Sequence, residues 1–388
     1  MPNNRPNQHT KRIVENNNCN QNYKQGSSVV VKGPRALQKN VLAKGLCSAC
    51  GACINLCPYI DMVKGRAVLI EPCGLSEGKC YDFCPRAYID VPSLDKLIFG
   101  SYRRDLALGS NISVMKARAK DSEFRSSAQY GGVVSALVTY ALETGEIDAA
   151  VLAKSQDRIS AEPAIARNRK EVFECAGSKY IVCPTVTEVL EAAKQEKGKI
   201  GVVGTSCQIT AVRKMQASHF EIEADKIGLL IGLFCTWAVS PDAYSYIKGL
   251  VGPAKVIKLD VPPPPANIFV IQTESKRIEV PLDEVRKFIM PACNVCFDMT
   301  NEFADISVGT VEGEEDWNTV IVRTKEGEKI LQGAIDAGVI ETKPLEKERF
   351  DHLCEASLTR KRRVLTETEA EKTAYLIIRE EDRSKIVS

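Results

Sequence analysis

The sequence predicts an α/β protein with a ferredoxin-like iron–sulfur segment on its N-terminal side. Three observations carry that expectation. Seven cysteines crowd into residues 45–95, with little else there that could form a core. From about residue 110, amphipathic helical stretches alternate with short apolar runs, the texture of an α/β domain. Two of those apolar runs end on a cysteine or lead straight into one, and a Cys-x2-Cys pair follows them.

In chain order, residues 1–28 are rich in Asn and Gln without apolar periodicity and read as a disordered or loosely docked tail. Residues 29–105 form the ferredoxin-like domain; a segment this short in apolar residues relies on metal or disulfide staples. Residues 106–350 form the α/β domain, with a core expected to be separate from the first. There 133–142 reads as a helix after Gly131 and Gly132, 149–153 (AAVLA) as a buried strand, and 187–197 as a helix. Next come a strand at 200–204 (IGVVG), a helix at 208–215 and a strand at 226–234. Residues 261–266 (VPPPPA) favour polyproline II, flanked by strands at 255–259 and 268–273. Residues 351–388 are charged and helical in texture, an outer helix or tail.

Composition removes several function classes. Lys and Arg number 52 against 50 Asp and Glu, so no excess charge argues for nucleic acid. Three histidines (His9, His219, His352) leave little for a His-based active site. The N-terminus lacks the apolar core of a signal peptide, and the longest apolar run, 227–236, is too short to span a membrane. The chain therefore reads as cytoplasmic, where clustered thiols bind metal more often than they pair.

The first cysteine run is Cys47-x2-Cys50-x2-Cys53-x3-Cys57-Pro58, the spacing of bacterial ferredoxins. Gly51 is expected to let the backbone approach the cluster, and Pro58 to open a helix. A zinc site would show two separated pairs instead. The second run, Cys73-x6-Cys80-x3-Cys84-Pro85, repeats the end of the first but lacks its middle cysteine. In two-cluster ferredoxins the fourth cysteine of each run serves the other cluster. That rule groups Cys47, Cys50, Cys53 and Cys84 at one 4Fe-4S cluster. Cys57, Cys73 and Cys80 are left one ligand short, to be completed by Glu77, by another cysteine such as Cys19, or by a three-iron cluster. The bland alternative is that these cysteines pack. Cys207, Cys235, Cys293 and Cys296 could share a third cluster at the carboxyl edge of a parallel sheet, or be small buried hydrophobes. Cys175, Cys183 and Cys354 read as packing residues. No G-x-G-x-x-G fingerprint supports a Rossmann dinucleotide site.

Six stretches together resemble a known family: SSAQYGGVVSALVTYALETGEIDAAV (126–151), CAGSKYIVCPTV (175–186), GVVGTSCQITAVRKM (201–215), DKIGLLIGLFCTW (225–237), CNVCFDMTNEFADISVGTVEGEEDWNTVIVRT (293–324) and AGVIETKPLE (337–346). They are similar to the beta subunits of coenzyme F420-reducing hydrogenases and their dehydrogenase relatives, among them 7-hydroxymethyl chlorophyll a reductase. The resemblance implies a flavin-binding α/β domain in which FAD stands beside an iron–sulfur cluster. It puts that cluster's ligands at Cys207, Cys235, Cys293 and Cys296, and FAD contacts at Gln129, Gly131, Gly132, Ser135, Gly177, Ser178 and Lys179. Gly131 and Gly132 open a helix whose N-terminus suits a pyrophosphate. Lys179 would bring positive charge toward a reduced flavin, and Arg213 and Lys214 face either a phosphate or solvent.

The resemblance thus implies an oxidoreductase exchanging a hydride between FAD and coenzyme F420, with 4Fe-4S clusters passing single electrons to a partner. That partner would be a subunit of hydrogenase, formate dehydrogenase or heterodisulfide reductase type, or ferredoxin. The family often has a Gly/Lys-rich turn where this chain has prolines 262–265, which lack N–H donors. The alternatives are a ferredoxin-dependent reductase of an organic substrate and a non-catalytic electron-transfer subunit.

Overall fold

The computed structural model describes residues 32–262 and 265–388; the tail 1–28, Cys19, Pro263 and Pro264 lie outside the described residues. After the first cysteine run the chain makes a hairpin of β1 (Ile60–Val63) and β2 (Arg66–Leu69). Its two-residue loop, Lys64 and Gly65, has positive φ at both positions, which matches the twist of the strands it joins. No helix opens at Pro58, which lies in the turn entering β1. The hydrophobic, hairpin-forming stretch that follows outcompetes the helix start expected there. β3 (Ile89–Asp90) follows the second cysteine run.

The α/β region is built on one eight-stranded sheet. Its strands are β4 (Ser113–Ala119), β5 (Ala149–Lys154), β6 (Glu162–Ala166), β7 (Ile200–Gly204) and β8 (Ile227–Leu233), then three strands after a smaller sheet. That smaller antiparallel sheet holds β9 (Val256–Asp260), β10 (Ile268–Thr273) and β11 (Arg277–Pro281). β12 (Ile306–Val311), β13 (Glu314–Val322) and β14 (Ile340–Pro344) complete the large sheet, in the order β14-β4-β13-β12-β8-β7-β5-β6. Only its centre, β5, β7, β8 and β12, is parallel; the flanking pairs are antiparallel. The two strands that lead to Cys207 and Cys235, β7 and β8, lie in this parallel centre, as expected for the cysteine edge. β7 is buried at every position, as a central strand covered on both faces must be.

Successive residues of these strands feed two cores. Ala150, Leu152, Val203 and Ile231 face the helices Val133–Glu143 and Lys325–Asp336. Val151, Val202 and Leu230 face the helices Val189–Gln195 and Ser206–Ala217. The second core does not stop there. Leu37, Val41, Phe83, Ile89 and Leu94 of the ferredoxin-like segment belong to it, as do Phe297, Phe303, Val364 and Ile386. Residues 32–388 therefore pack as one compact unit, and the separate core expected for the ferredoxin-like segment is not found.

Residues 351–388 are not an outer tail either. The helix Lys347–Thr366 buries Ser357, Lys361 and Val364 completely or nearly so. Ser357 donates to the Ala107 carbonyl at 2.6 Å, and β15 (Leu376–Ile377) pairs in parallel with β3. Among the described residues no helix is long and apolar enough to cross a membrane.

The shared core makes a test. Phe83 is wholly buried and meets the Phe220 ring edge-on at 6.4 Å. Phe83→Ala is expected to cost about 3–5 kcal/mol. Both tryptophans, Trp237 and Trp317, lie in the α/β region. Their fluorescence transition should shift to lower denaturant together with circular dichroism; an unmoved tryptophan transition would mean two independent cores.

Candidate functional site

Two sheet strands end at the site. β7 runs into Thr205, which caps the helix Ser206–Ala217 reciprocally with Gln208 and sets Cys207 in its first turn. Thr205 Oγ1 stands 3.4 Å from Cys207 Sγ. β8 runs into Cys235, whose N–H donates to Met299 O at 2.9 Å and so draws the Cys-x2-Cys loop alongside. Ala238 N–H donates to Cys293 Sγ at 3.4 Å. Burial, then Cys293, Cys207 and Cys296, pushes the Cys235 thiol well above the usual range. The structure thus brings all four of these cysteines together.

Among the ferredoxin-like cysteines, Cys53 has Cys50, Cys84 and Cys47 as its nearer neighbours, and Cys80 has Cys57 and Cys73. Burial, then Cys50, Cys84 and Cys47, raises Cys53 well above the usual thiol range. Burial, with Cys57 and Cys73, pushes Cys80 up to about 11. Ala67 N–H and Arg86 N–H donate to the sulfurs of Cys47 and Cys84, both at 3.4 Å. Such N–H···S contacts surround cluster thiolates. Gly51 has φ 94°, and a Cβ there would stand 2.5 Å from Pro184 O. The neighbour that demands glycine is thus the α/β region's backbone. Glu77 turns outward, its carboxylate 3.9 Å from His219 Nε2, and gives Cys57, Cys73 and Cys80 no visible fourth donor.

The groups lie close to one another. Cys50 feels Cys207, Cys53 feels Cys80, and the Ser48 hydroxyl bonds to the Cys207 thiol. They form a row: Cys57/73/80, then Cys47/50/53/84, then Cys207/235/293/296. Among the described residues no three His, Cys, Asp or Glu side chains converge on a single ion. The described cysteines are all free thiols.

Beyond the last group opens a cavity of about 1490 Å³, whose wall includes Cys207, Cys235, Cys293 and Cys296. It exceeds the roughly 300–1,000 Å³ that holds drug-sized ligands. Gln129, Gly132, Ser135, Gly177, Ser178 and Lys179 line it; Gly131 does not. A Cβ on Gly131 would lie 2.9 Å from Asn318 Oδ1, so this glycine serves packing between strands. Gly132, at φ 74°, caps the helix Val133–Glu143 without a side chain, and that helix start opens on the cavity. Val133 N–H donates to Asn318 Oδ1 at 3.4 Å, and the other N–H groups of the first turn suit an anion. Gln129 donates to Asp260 at 2.5 Å, and Val261 N–H donates to Tyr180 Oη at 3.1 Å. These bonds hold the start of the proline segment at the cavity, where Pro262 and Pro265 form part of the wall.

Lys179 spends its ammonium on the carbonyls of Cys175, Ala176 and Gly177. Burial brings it down to about 8. Arg213 and Lys214 meet neither phosphate nor solvent. Arg213 pairs with Asp305 at 2.8 Å, and Lys214 donates to Cys84 O and Tyr88 O at 2.6 and 2.5 Å. Both readings of that pair are corrected: the helix is covered on this side too. Sequence reasoning missed Arg86, Arg360 and Trp237, which also line the cavity. Arg86 carried a signal, a charge directly after Cys84 and Pro85. Arg360 carried none, being one charge among many in a remote helix. It donates to Cys296 O at 2.8 Å and Cys293 O at 3.1 Å.

Lys179 can be tested through pH. Its folded value lies below the ordinary 10.5, so between about 8 and 10.5 the unfolded chain binds the extra proton. Stability must then rise with pH across that window. Relative to Lys179→Met, the wild type should gain up to about 3 kcal/mol from about pH 7.5 to about pH 10 in urea unfolding. A constant difference would mean an amine that titrates normally.

Comparison with known proteins places this geometry. Residues 114–191 match the family model for the N-terminal part of the coenzyme F420 hydrogenase/dehydrogenase beta subunit. Residues 197–348 match the model for its C terminus. The chain is 33% identical over 254 residues to the coenzyme F420 hydrogenase subunit beta of Methanosarcina barkeri, covering 63% of this chain and 85% of the relative. It is 34% identical over 249 residues to the subunit of that name from Methanothermobacter thermautotrophicus, covering 62% and 88%. A chain of the xenon-derivatised F420-reducing NiFe hydrogenase complex from Methanosarcina barkeri superposes with TM-score 0.62 at 31% identity. That match covers 67% of this chain and 93% of the other.

Proposed function

Because this chain belongs to the coenzyme F420 hydrogenase/dehydrogenase beta-subunit family, we propose that it is a flavin–iron–sulfur oxidoreductase subunit exchanging a hydride between FAD and coenzyme F420. One observation carries the reading: a single cavity has both a glycine-capped helix N-terminus and four cysteines in its wall, and the ferredoxin-like cysteines stand directly behind them.

The residues present fit the groups the family implies. The N–H groups after Gly132 would receive the flavin's pyrophosphate, with Gln129, Ser135, Gly177 and Ser178 around it. Lys179 holds its own loop closed and keeps a positive end on the wall. Cys207, Cys235, Cys293 and Cys296 would ligate a 4Fe-4S cluster, Cys47, Cys50, Cys53 and Cys84 a second, and Cys57, Cys73 and Cys80 a third with an unusual ligand or three irons. When bound, FAD supplies hydride chemistry and the clusters supply single-electron chemistry. The chain contributes position, N–H donors to sulfur and a dry environment. Most of these thiols are raised by burial, so metal must displace their protons and loading should weaken toward low pH. Redox partner subunits of hydrogenase, formate dehydrogenase or heterodisulfide reductase type, or ferredoxin, would meet the ferredoxin-like side.

Pro262 and Pro265 favour a second reading. They offer no N–H donors where an anionic carrier tail would lie. That suits a ferredoxin-dependent reductase of an organic substrate.

Anaerobically purified protein is expected to carry one flavin and about eleven to twelve irons per chain. Cys235→Ser should lose about four of them and leave the other clusters. Reduced F420, NADH and reduced ferredoxin are then mixed separately with oxidised protein. Fast flavin bleaching by reduced F420 supports the first reading; bleaching by ferredoxin alone supports the second. Protein with iron but no flavin would be an electron-transfer subunit, and zinc without a chromophore would end both readings.

A further inference from the structure

Arg86 has no carboxylate to answer its charge. Its side chain is almost fully buried, with 3% of the residue exposed. Nη1 and Nη2 donate to the carbonyls of Pro85 and Ala292, at 3.4 and 3.3 Å, the guanidinium also meets the Cys296 sulfur, and Nε has no hydrogen-bond partner. The guanidinium lies over the Tyr375 ring, 5.0 Å from its centroid. The other ionisable groups it faces are Cys296 and Cys207. Among the described residues no carboxylate lies within ion-pair distance of it.

A buried guanidinium without a counter-charge is expensive, and folds keep one where something anionic completes the site. The thiols beside Arg86 show what that something is. Cys207, Cys293 and Cys296 share the cavity wall with Arg86, and its Nη2 bond to Ala292 O sets the guanidinium beside the Cys-x2-Cys loop. An iron–sulfur cube with four thiolates carries net negative charge and gains one more on reduction. A fixed cation beside it favours the reduced form.

The position of Arg86 in the chain adds an independent argument. Its backbone N–H donates to Cys84 Sγ, a ligand of the neighbouring group, while its guanidinium reaches across to Cys296. Arg86 and Tyr375 both lie outside the residues matched by the family models, whereas Cys207, Cys235, Cys293 and Cys296 lie inside them. The flanking segments thus bring a cation to a site whose ligands the matched region supplies.

We propose that Arg86 is the counter-charge of the cluster at Cys207, Cys235, Cys293 and Cys296, and that it raises the reduction potential of this cluster selectively. It is a positioning residue, acting through the cluster's charge and touching no substrate. The inference rests on the iron–sulfur reading above.

The test compares wild type, Arg86→Lys and Arg86→Met as anaerobically purified full chains, with iron counts and dithionite titrations followed by electron paramagnetic resonance. The signal missing from Cys235→Ser identifies the cluster concerned. Arg86→Met with full iron should lower that cluster's midpoint so that the oxidised-to-reduced ratio at fixed potential rises about tenfold, or about 59 mV for a one-electron couple. Arg86→Lys should recover most of the shift, and the other clusters should move less. An unmoved midpoint, or equal shifts in both variants, overturns the role of Arg86. Wild type without iron at these cysteines overturns the reading beneath it. If Arg86→Met loses the cluster, chelator-treated proteins decide. Without the cluster the buried charge is uncompensated, so Arg86→Met should melt above wild type, and melting at or below it overturns the proposal.

Discussion

Lys214 donates from the helix Ser206–Ala217 to the carbonyls of Cys84 and Tyr88, and the rest of the site depends on that contact. The same helix carries Cys207 in its first turn and is buried along nine of its residues, from Ser206 to Met215. One end of it meets the cavity, and one side meets the second cysteine run. Its position therefore fixes the separation of two cysteine groups that come from opposite parts of the chain. The ammonium is buried enough to bring its value down to about 8, and it lies 3.6 Å from the centroid of the Tyr88 ring. Arg213, one residue before, locks the helix to Phe303 O and Asp305. Hydrogen bonds to buried charges are stronger than neutral ones, and leaving one partner unmet is costly. The helix is thus held on both sides by bonds that tolerate little displacement.

A second set of buried charges holds the Cys-x2-Cys loop from behind. Glu302 is fully buried and paired with Arg103 and with Lys361, the latter at 2.6 Å. Asp298, two residues past Cys296, caps Asn301 and Glu302 by accepting their N–H groups. Burial, with Glu302 nearby, pushes its carboxyl up to about 6. Arg103 comes from the segment after the ferredoxin-like cysteines, where it also pairs with Asp95, and Lys361 comes from the C-terminal helix. Three distant stretches of sequence therefore meet on one carboxylate. Buried ion networks add little net stability over apolar packing, but breaking one partner leaves an unpaired charge. The arrangement fixes where the loop sits more than how stable the protein is.

The parts of the fold legible in the sequence are those where burial and apolarity coincide. β7 and β8 stand out as continuous apolar runs because both of their faces are covered, and the flanking helices follow from their periodicity. β4, β13 and β14 were not legible, since they carry Lys116, Glu314 and Lys343 among their strand residues. Lys116 is nonetheless buried, because Glu314 and Glu346 neutralise it beside Trp317. The C-terminal helix misled for the same reason: Lys361 looks like surface until Glu302 is known. Hydropathy reads a side chain's cost in isolation, and these residues are buried only as pairs. The cysteine runs were legible as runs because their spacing is local in the sequence. What spacing could not give was the order of the three groups, which is a property of packing between segments.

That order has a consequence for how the site is insulated. Cys50, Cys80 and Cys296 are buried, and Cys57 and Cys73 are only partly so. Around the group holding the latter two, the exposed apolar side chains Tyr59, Val63, Ile70 and Leu75 lie on or near the hairpin. The cavity opens at the other end of the row, with polar and charged residues such as Asp260, Arg277 and Glu314 in its wall. The group of Cys47, Cys50, Cys53 and Cys84 lies between the two ends. Ser48 and Arg86 are the side chains that cross from that middle group to the cavity's cysteines. A chain in which the ferredoxin-like segment were a separate module on a linker could not provide this. Here the common core of Phe83, Met215 and Phe297 holds the path rigid.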